Sequence, residues 1–411
     1  MRIVIATAVY HPMINGVAVF SHNLAMGLAR RGNEVLVICP SQNGKNYTEV
    51  QDGVKVCYLK SIQVKVYPDQ IHATNKRKKW QIWYKHGFRV SVFPKIEVKK
   101  ILDDFKPDVV HVQVSDPIGL SVVSYARKNG IPVVTTEHNQ PEVLTEPLHV
   151  PGVVKKPVDA LLSAYFANRQ SKSDFVTMPT KQAIFRLLEG RDFKVPVAAV
   201  SNGVDLSAFK PGKVAISTYE KYGISPNQPI VLYVGRVDPE KKVGVVIEAF
   251  ARVHGEVPNA LMLVVGDGVD KTRLIAMVKK MKLDDSVKFL GRIVPPELYE
   301  IYRMGTVFAT ASEIETQGIV LIEAAASGLP LIAVDKGAVS EICVTGKNGF
   351  LCEPGDVSEI AEAMGKLLTD KKLQKEYAET SIKLAHEHDF EKTLDKFLNI
   401  YQKVVKDKKK T

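Results

Sequence analysis

Two glutamates, Glu315 and Glu323, stand eight positions apart around Gly318 in the stretch SEIETQGIVLIEAAASGLP. On one continuous helix, residues eight apart are rotated by roughly 80°, so such a pair would share neither a tight face nor a hydrogen bond. The spacing therefore puts Glu315 in a loop and Glu323 about a turn inside the helix that follows. Thr316, Gln317, Gly318 and Ile319 lie between them, and the backbone N–H groups that open a helix have no partner within it. Donors of that kind, with a carboxylate on each side, suit a ligand that carries both phosphate and hydroxyls.

Other motifs carry compatible chemistry. In YVGRVDPEKK, Arg236 and Lys241 follow an apolar strand, where a guanidinium fork and a point charge could neutralise a diphosphate. A plain basic surface loop is the alternative, and the opening motif in the same half of the chain favours the diphosphate. Gly16, in the turn Asn15-Gly16 between the first strand and a helix, would let backbone approach a phosphate or sugar closely, although the full GxGxxG fingerprint is missing. His138 in VVTTEHNQPE sits directly after a strand, where a histidine can reach a ligand; His111, inside VVHVQV, reads as core or as support for the site. VVGDGVD reads equally as a nucleotide loop or as a tight turn capping the next helix through Asp270. There is no Asp-x-Asp and no His/Cys/Asp cluster with metal-ligand spacing. A metal-held diphosphate is thus not expected, and the charge falls to Arg236, Lys241 and the helix N-terminus.

The elements that must place these residues alternate along the whole chain. RIVIATA, EVLVICP, DVVHVQV, IPVVTTEH and DFVTMPT read as buried strands in the first half. PIVLYVGR, ALMLVVGDG, VKFLGR, VFATAS and PLIAVDKG repeat the pattern in the second, with amphipathic helices between them. Strands buried on both faces predict an α/β fold of two doubly wound parallel sheets, with ligands off the carboxyl ends of the strands and a cleft where the sheets face each other. The turns in VSNGVDLSAFKPGK put the boundary near 200, giving domains 1–200 and 201–381. Phe390, Leu394, Phe397, Ile400 and Tyr401 have helical spacing, so residues 382–411 are expected to cross back onto the first domain.

A length of 411 residues suits two domains, and 45% hydrophobic with 25% charged residues is an ordinary globular composition. Four cysteines without CxxC pairing fit a reducing cytoplasm, and no apolar run is long enough to span a bilayer. The net charge of +11 is one-sided: residues 1–200 hold 27 basic and 16 acidic residues, and the remaining 29 of each cancel. Residues 51–100 alone hold 12 basic and 3 acidic residues. Within them Lys76, Arg77, Lys78 and Lys79 adjoin Trp80, Trp83 and Tyr84, which fits an anionic partner. No nucleic-acid motif accompanies the excess, so nucleic acid is not expected.

In order along the chain, Asn15-Gly16, His138, the NGVD of Asn202–Asp205, Arg236 with Lys241, and the E-x7-E of Glu315 and Glu323 resemble the retaining glycosyltransferases of family 4, with the GT-B fold. The basic first half is similar to the branch that glycosylates phosphatidylinositol or diacylglycerol lipids. The resemblance implies a nucleotide-diphosphate-sugar donor, no cofactor and no required metal. It gives Arg236 and Lys241 to the diphosphate, with backbone of Thr316, Gln317, Gly318 and Ile319 completing the cradle. Glu315 would bind hydroxyls of the transferred sugar, Glu323 the ribose diol and Ile293 the base, while His138 would orient the sugar. Retention by front-side attack needs no enzyme nucleophile, so positioning and charge stabilisation would carry catalysis.

An acceptor lipid at the inner face of the cell membrane fits the patch from Lys76 to Tyr84, because basic residues near an anionic leaflet gain about 1 kcal/mol each. The same transfer to a soluble acceptor is the close alternative. A nucleotide-sugar 2-epimerase shares the architecture but would need further acid/base groups, and none are clustered in the sequence.

Overall fold

The computed structural model describes residues 1–11, 13, 15–63, 89–138 and 152–410, with side chains omitted for 152–156. They form two compact units, Met1–Asn202 with Thr393–Thr411, and Gly203–Lys392.

The first unit begins with β1 (Arg2–Ala6), α1 (Gly16–Arg30), β2 (Glu34–Pro40), β3 (Tyr47–Gln51), β4 (Val54–Leu59), β5 (Ser61–Gln63) and β6 (Arg89–Ser91). It continues through α2 (Lys95–Phe105), β7 (Val109–Val112), α3 (Pro117–Lys128), β8 (Val133–Thr136), α4 (Gly152–Gln170), β9 (Phe175–Met178), α5 (Lys181–Leu188) and β10 (Val197–Ala199). Its main sheet has the order β10-β9-β8-β7-β1-β2-β4-β3. The five strands expected from sequence are all present and parallel. The edge differs, because β3 pairs antiparallel with β4 across the tight turn at Asp52-Gly53. Two strands joined by so short a turn can only run antiparallel. β5 and β6 form a separate two-stranded ribbon.

The second unit contains α6 (Ile216–Tyr222), β11 (Ile230–Val234), α7 (Val243–His254), β12 (Leu261–Val265), α8 (Lys271–Lys280), β13 (Val287–Gly291), α9 (Glu297–Met304), β14 (Val307–Ala309), α10 (Ile319–Ala326), β15 (Leu331–Val334), β16 (Gly349–Cys352), α11 (Val357–Thr369) and α12 (Lys371–Ala385). All five pairings in its six-stranded sheet, ordered β13-β12-β11-β14-β15-β16, are parallel. β11 and β12 are buried at every position, which is why they read as continuous apolar runs.

The last helix, α13 (Phe390–Lys408), buries its apolar stripe: Leu394, Phe397 and Tyr401 are almost fully enclosed. Within the first unit, Arg31 pairs with Asp395 and Lys408 with Asp174, so residues far apart in sequence hold this helix to α1 and to the sheet.

Strand order locates the ligand-binding edge of each sheet. In the second unit the chain runs outward from β11 through β12 to β13, then returns to place β14 on the other side of β11. Such a reversal opens a crevice beyond the carboxyl ends of the two central strands, here β11 and β14. In the first unit the same reversal lies between β1 and β7.

Candidate active site

Arg236 and Lys241 follow β11, while Glu315 and the residues up to Gly318 follow β14, so the switch point brings the two motifs together. Lys241 Nζ lies 2.6 Å from Glu315 Oε1, and the two side chains are only 17% and 16% exposed. Ser312 Oγ and the Ile314 carbonyl stand 3.4 and 3.5 Å from the same ammonium. This ion pair ties one side of the crevice to the other, an arrangement that spacing along the chain does not reveal. Glycine makes the close approach possible on the next loop: a Cβ on Gly337 would stand 2.9 Å from the Glu315 carbonyl oxygen. That carbonyl accepts from Ala338 N at 3.2 Å.

Arg236 is more exposed, at 58%, and its guanidinium meets two carboxylates of its own loop, Asp238 and, at 2.6 Å, Glu240. Its carbonyl accepts from the Tyr233 hydroxyl at 2.7 Å, which pins the loop to β11. Asp238 also accepts from Val269 N at 3.0 Å, and burial pushes its carboxyl above the ordinary range. Both expected diphosphate cations thus already have acidic partners, and an incoming anion would compete with Asp238, Glu240 and Glu315.

Glu315 lies before α10, and Glu323 is the fifth residue of that helix. Gly318 caps α10 with φ +76°, left-handed backbone that favours glycine. Thr316 and Gln317 precede it, with Gln317 buried, and Ile319 opens the helix. Glu323 Oε2 accepts from the hydroxyl of Tyr302 on α9 at 2.6 Å, and burial pushes the Glu323 carboxyl up to about 7. Tyr302 is fully enclosed, with its ring edge-on to Phe209, so the hydroxyl is held in place. Ile293 is half-buried two residues beyond β13, at the same edge of the sheet.

Close packing of backbone accounts for both glycines of the GDG turn. A Cβ on Gly266 would fall 1.8 Å from the Gly235 carbonyl oxygen, and one on Gly268 would fall 2.2 Å from that of Val237. Asp270 precedes α8 without a side-chain cap; its carboxylate instead takes Arg273 at 2.6 and 2.7 Å.

In the first unit, Gly16 is the first residue of α1, capped by Asn15, whose side chain accepts from Ala18 N at 2.8 Å. Nothing lies within 4 Å of where a Gly16 Cβ would sit. His138 follows β8, is buried, and meets Gln113 Oε1 through Nε2 at 2.7 Å. His111 is wholly enclosed between Tyr401 of α13 and Thr136 of β8. Sequence reasoning passed over Gln113 and Tyr302; two positions after His111 on a strand, Gln113 could have been placed on the same face.

Lys76, Arg77, Lys78, Lys79, Trp80, Trp83 and Tyr84 lie outside the described residues. Beside them in sequence, Val92, Phe93 and Ile96 are exposed, Phe93 at 89% and Ile96 at 80%. Phe93 has φ +54°, uncommon for a bulky side chain. Lys95, Lys99 and Lys100 on α2 are exposed as well.

Comparison with known proteins agrees with this geometry. The family model described as "Glycosyltransferase Family 4" matches residues 14–208, and "Glycosyl transferases group 1" matches residues 217–384. The chain belongs to glycosyltransferase family 4. It is 28% identical over 364 residues to the alpha-monoglucosyldiacylglycerol synthase of Acholeplasma laidlawii, covering 85% of this chain and 84% of that protein. It is 33% identical over 191 residues to the N-acetyl-alpha-D-glucosaminyl L-malate synthase of Bacillus anthracis, covering 46% of this chain and 49% of that protein. Among solved structures, HepE of Anabaena in complex with UDP and glucose superposes with a TM-score of 0.71 at 17% identity, covering 98% of this chain and all of its own. The fold is therefore GT-B, and the protein is a glycosyltransferase.

Proposed function

We propose that this enzyme transfers a hexose, with retention of anomeric configuration and without a metal, from a nucleotide-diphosphate-sugar to a lipid at an anionic cytoplasmic membrane surface. The observation that carries the donor site is the Lys241–Glu315 pair across the switch point, with α10 opening beside it and Glu323 on α10. Lys241 and Arg236 take the diphosphate with the backbone from Thr316 to Ile319. Glu315 takes sugar hydroxyls, Glu323 the ribose diol and Ile293 the base; backbone at Gly16 and the ring of His138 serve the sugar. Positioning and charge stabilisation at the leaving diphosphate are the chemistry these groups can supply.

The lipid acceptor is supported by the diacylglycerol named for the Acholeplasma relative and by exposed Phe93 and Ile96 beside basic residues. Apolar side chains next to lysines suit a membrane interface. Among the described residues, no helix is long and apolar enough to cross a membrane, so contact from the surface fits. A soluble anionic acceptor is the second reading, favoured by the basic first unit and by the malate named for the Bacillus relative.

The test is to incubate the enzyme with UDP-, GDP- and ADP-hexoses, with diacylglycerol in phosphatidylglycerol vesicles on one side and soluble hydroxy acids on the other. Product should form on the lipid, with the donor's α-configuration seen by NMR. A β-product rejects retention, and transfer only to the soluble acids rejects the lipid.

A further inference from the structure

We propose that Gln113 is a positioning residue that locks His138 in its Nε2–H tautomer, leaving Nδ1 as the ring's acceptor for a ligand hydroxyl. Gln113 directly follows β7 at the switch point of the first sheet and is fully buried. Its Oε1 lies 2.7 Å from His138 Nε2, and its amide nitrogen lies 3.3 and 3.2 Å from the two ring nitrogens of His111. Which end of an amide is oxygen follows from what each end faces.

His111 decides the orientation. Its Nδ1 meets the Tyr401 hydroxyl and its Nε2 meets Thr136 Oγ1, each at 2.6 Å. Burial holds the His111 ring down to about 3, so it is neutral. The near-equal distances put the Gln113 amide nitrogen against the ring as a whole. An N–H there meets an electron-rich π face, whereas a carbonyl oxygen would be repelled.

The oxygen of Gln113 therefore faces His138. A carbonyl oxygen only accepts, so His138 Nε2 donates and the lone pair falls on Nδ1. In this way the partner of one ring nitrogen selects the tautomer of the other. Burial holds His138 down to about 3 as well, and Phe20 packs edge-on at 5.3 Å, limiting ring rotation. Among the described residues, His111 faces the hydroxyl of Tyr401 on α13, and Glu137, next to His138 in sequence, accepts from Gln170 at 2.8 Å. Only the identity of the hydroxyl rests on the glycosyltransferase reading; the tautomer does not.

The experiment is a long-range proton–nitrogen correlation spectrum of the full chain labelled with 15N-histidine at pH 7.5, with His138 assigned by its loss in His138→Asn. Wild type is expected to show Nε2 protonated and Nδ1 bare, and Gln113→Met to show the tautomers mixed or reversed. A wild-type His138 protonated at Nδ1 overturns the proposal. So does a Gln113→Met protein, folded by circular dichroism, that keeps a single Nε2–H form; Gln113→Leu gives the same comparison if Met does not fold. Losing one directing hydrogen bond should lower kcat roughly tenfold in Gln113→Met while donor KM moves by less than about threefold. An unchanged kcat removes the catalytic role. If wild type transfers no sugar at all, the enzymatic reading fails, and the spectrum still decides the tautomer.

Discussion

Glu323 shows how much the surroundings of a residue add to its type. Its position in the E-x7-E motif was readable from sequence, but Tyr302, 21 positions earlier, reaches it only because of how α9 packs against α10. The carboxyl, raised to about 7, is neutral below that pH and ionised above it. An ionised carboxylate accepts from both hydroxyls of a diol, so donor affinity should rise with pH through about 7. The stability of the ligand-free fold has the opposite sign: it is fully present below the ordinary glutamate value and declines as pH rises toward about 7, because the unfolded chain releases this proton earlier. Calorimetric titration with donor should give a Kd about tenfold lower at pH 8 than at pH 6, the change in ionised fraction around such a value. The profile should be flat in Glu323→Gln, and a flat wild-type profile would contradict the assignment. Arg236 was equally readable, but its pairing with Asp238 and Glu240 was not, because motif spacing says nothing about rotamers. The Arg236–Glu240 pair is open to solvent on the arginine side, and surface pairs contribute under about 1 kcal/mol. Glu240→Gln should therefore tighten donor binding about two- to threefold by removing a competitor for Arg236, and weaker binding in that variant would show that Glu240 helps to hold the donor.

Among the elements, the ten apolar strands and α13 were readable because burial on both faces of a sheet, or along one stripe of a helix, leaves a strong period. Strands β3, β4, β5, β6, β10 and β16 were not: none of them is buried at every position, and pairing decides them. The packing of α13 makes a quantitative prediction. Leu394 is almost wholly buried, and its side-chain carbons lie 2.7 Å from where a Gly27 Cβ would be, so α1 and α13 touch nearly backbone to side chain. Leu394→Ala should destabilise the first unit by about 3 kcal/mol, as large-to-small core changes do. Urea unfolding checks this, and a loss below about 1 kcal/mol would mean that α13 is not integral to that unit. The loops after β11 and β12 behave differently. GDG was readable as a turn, but the reason for glycine became visible only with Gly235 beside it; Gly266→Ala should abolish donor binding or soluble expression, since backbone has to move.

Across the whole molecule, the charge is divided as the sequence shows, with the excess in residues 1–200 and the candidate donor site in the balanced remainder. Membrane attachment and donor binding should therefore separate. Phe93→Ser with Ile96→Ser should weaken binding to anionic vesicles in flotation assays at every salt concentration while leaving donor affinity unchanged. The electrostatic part of wild-type binding should fade in high salt, because screening acts over about 8 Å at physiological ionic strength. A double variant that floats as well as wild type would remove these side chains from the membrane account. Activity should also persist in EDTA, with Lys241 and Arg236 balancing the diphosphate, and complete loss restored by magnesium would overturn that.

The β11/β14 switch point is proposed to bind a nucleotide-diphosphate-sugar through Lys241. The most direct test of this is calorimetric titration of wild type and Lys241→Met with UDP-, GDP- and ADP-hexoses, Met keeping the side chain's length while removing its charge. At least one donor should bind wild type, and its Kd should rise tenfold or more in Lys241→Met, the loss expected for a charge-assisted contact of about 1.5 kcal/mol or more. A donor bound equally well by both proteins, or wild type binding none of the three classes, would contradict it.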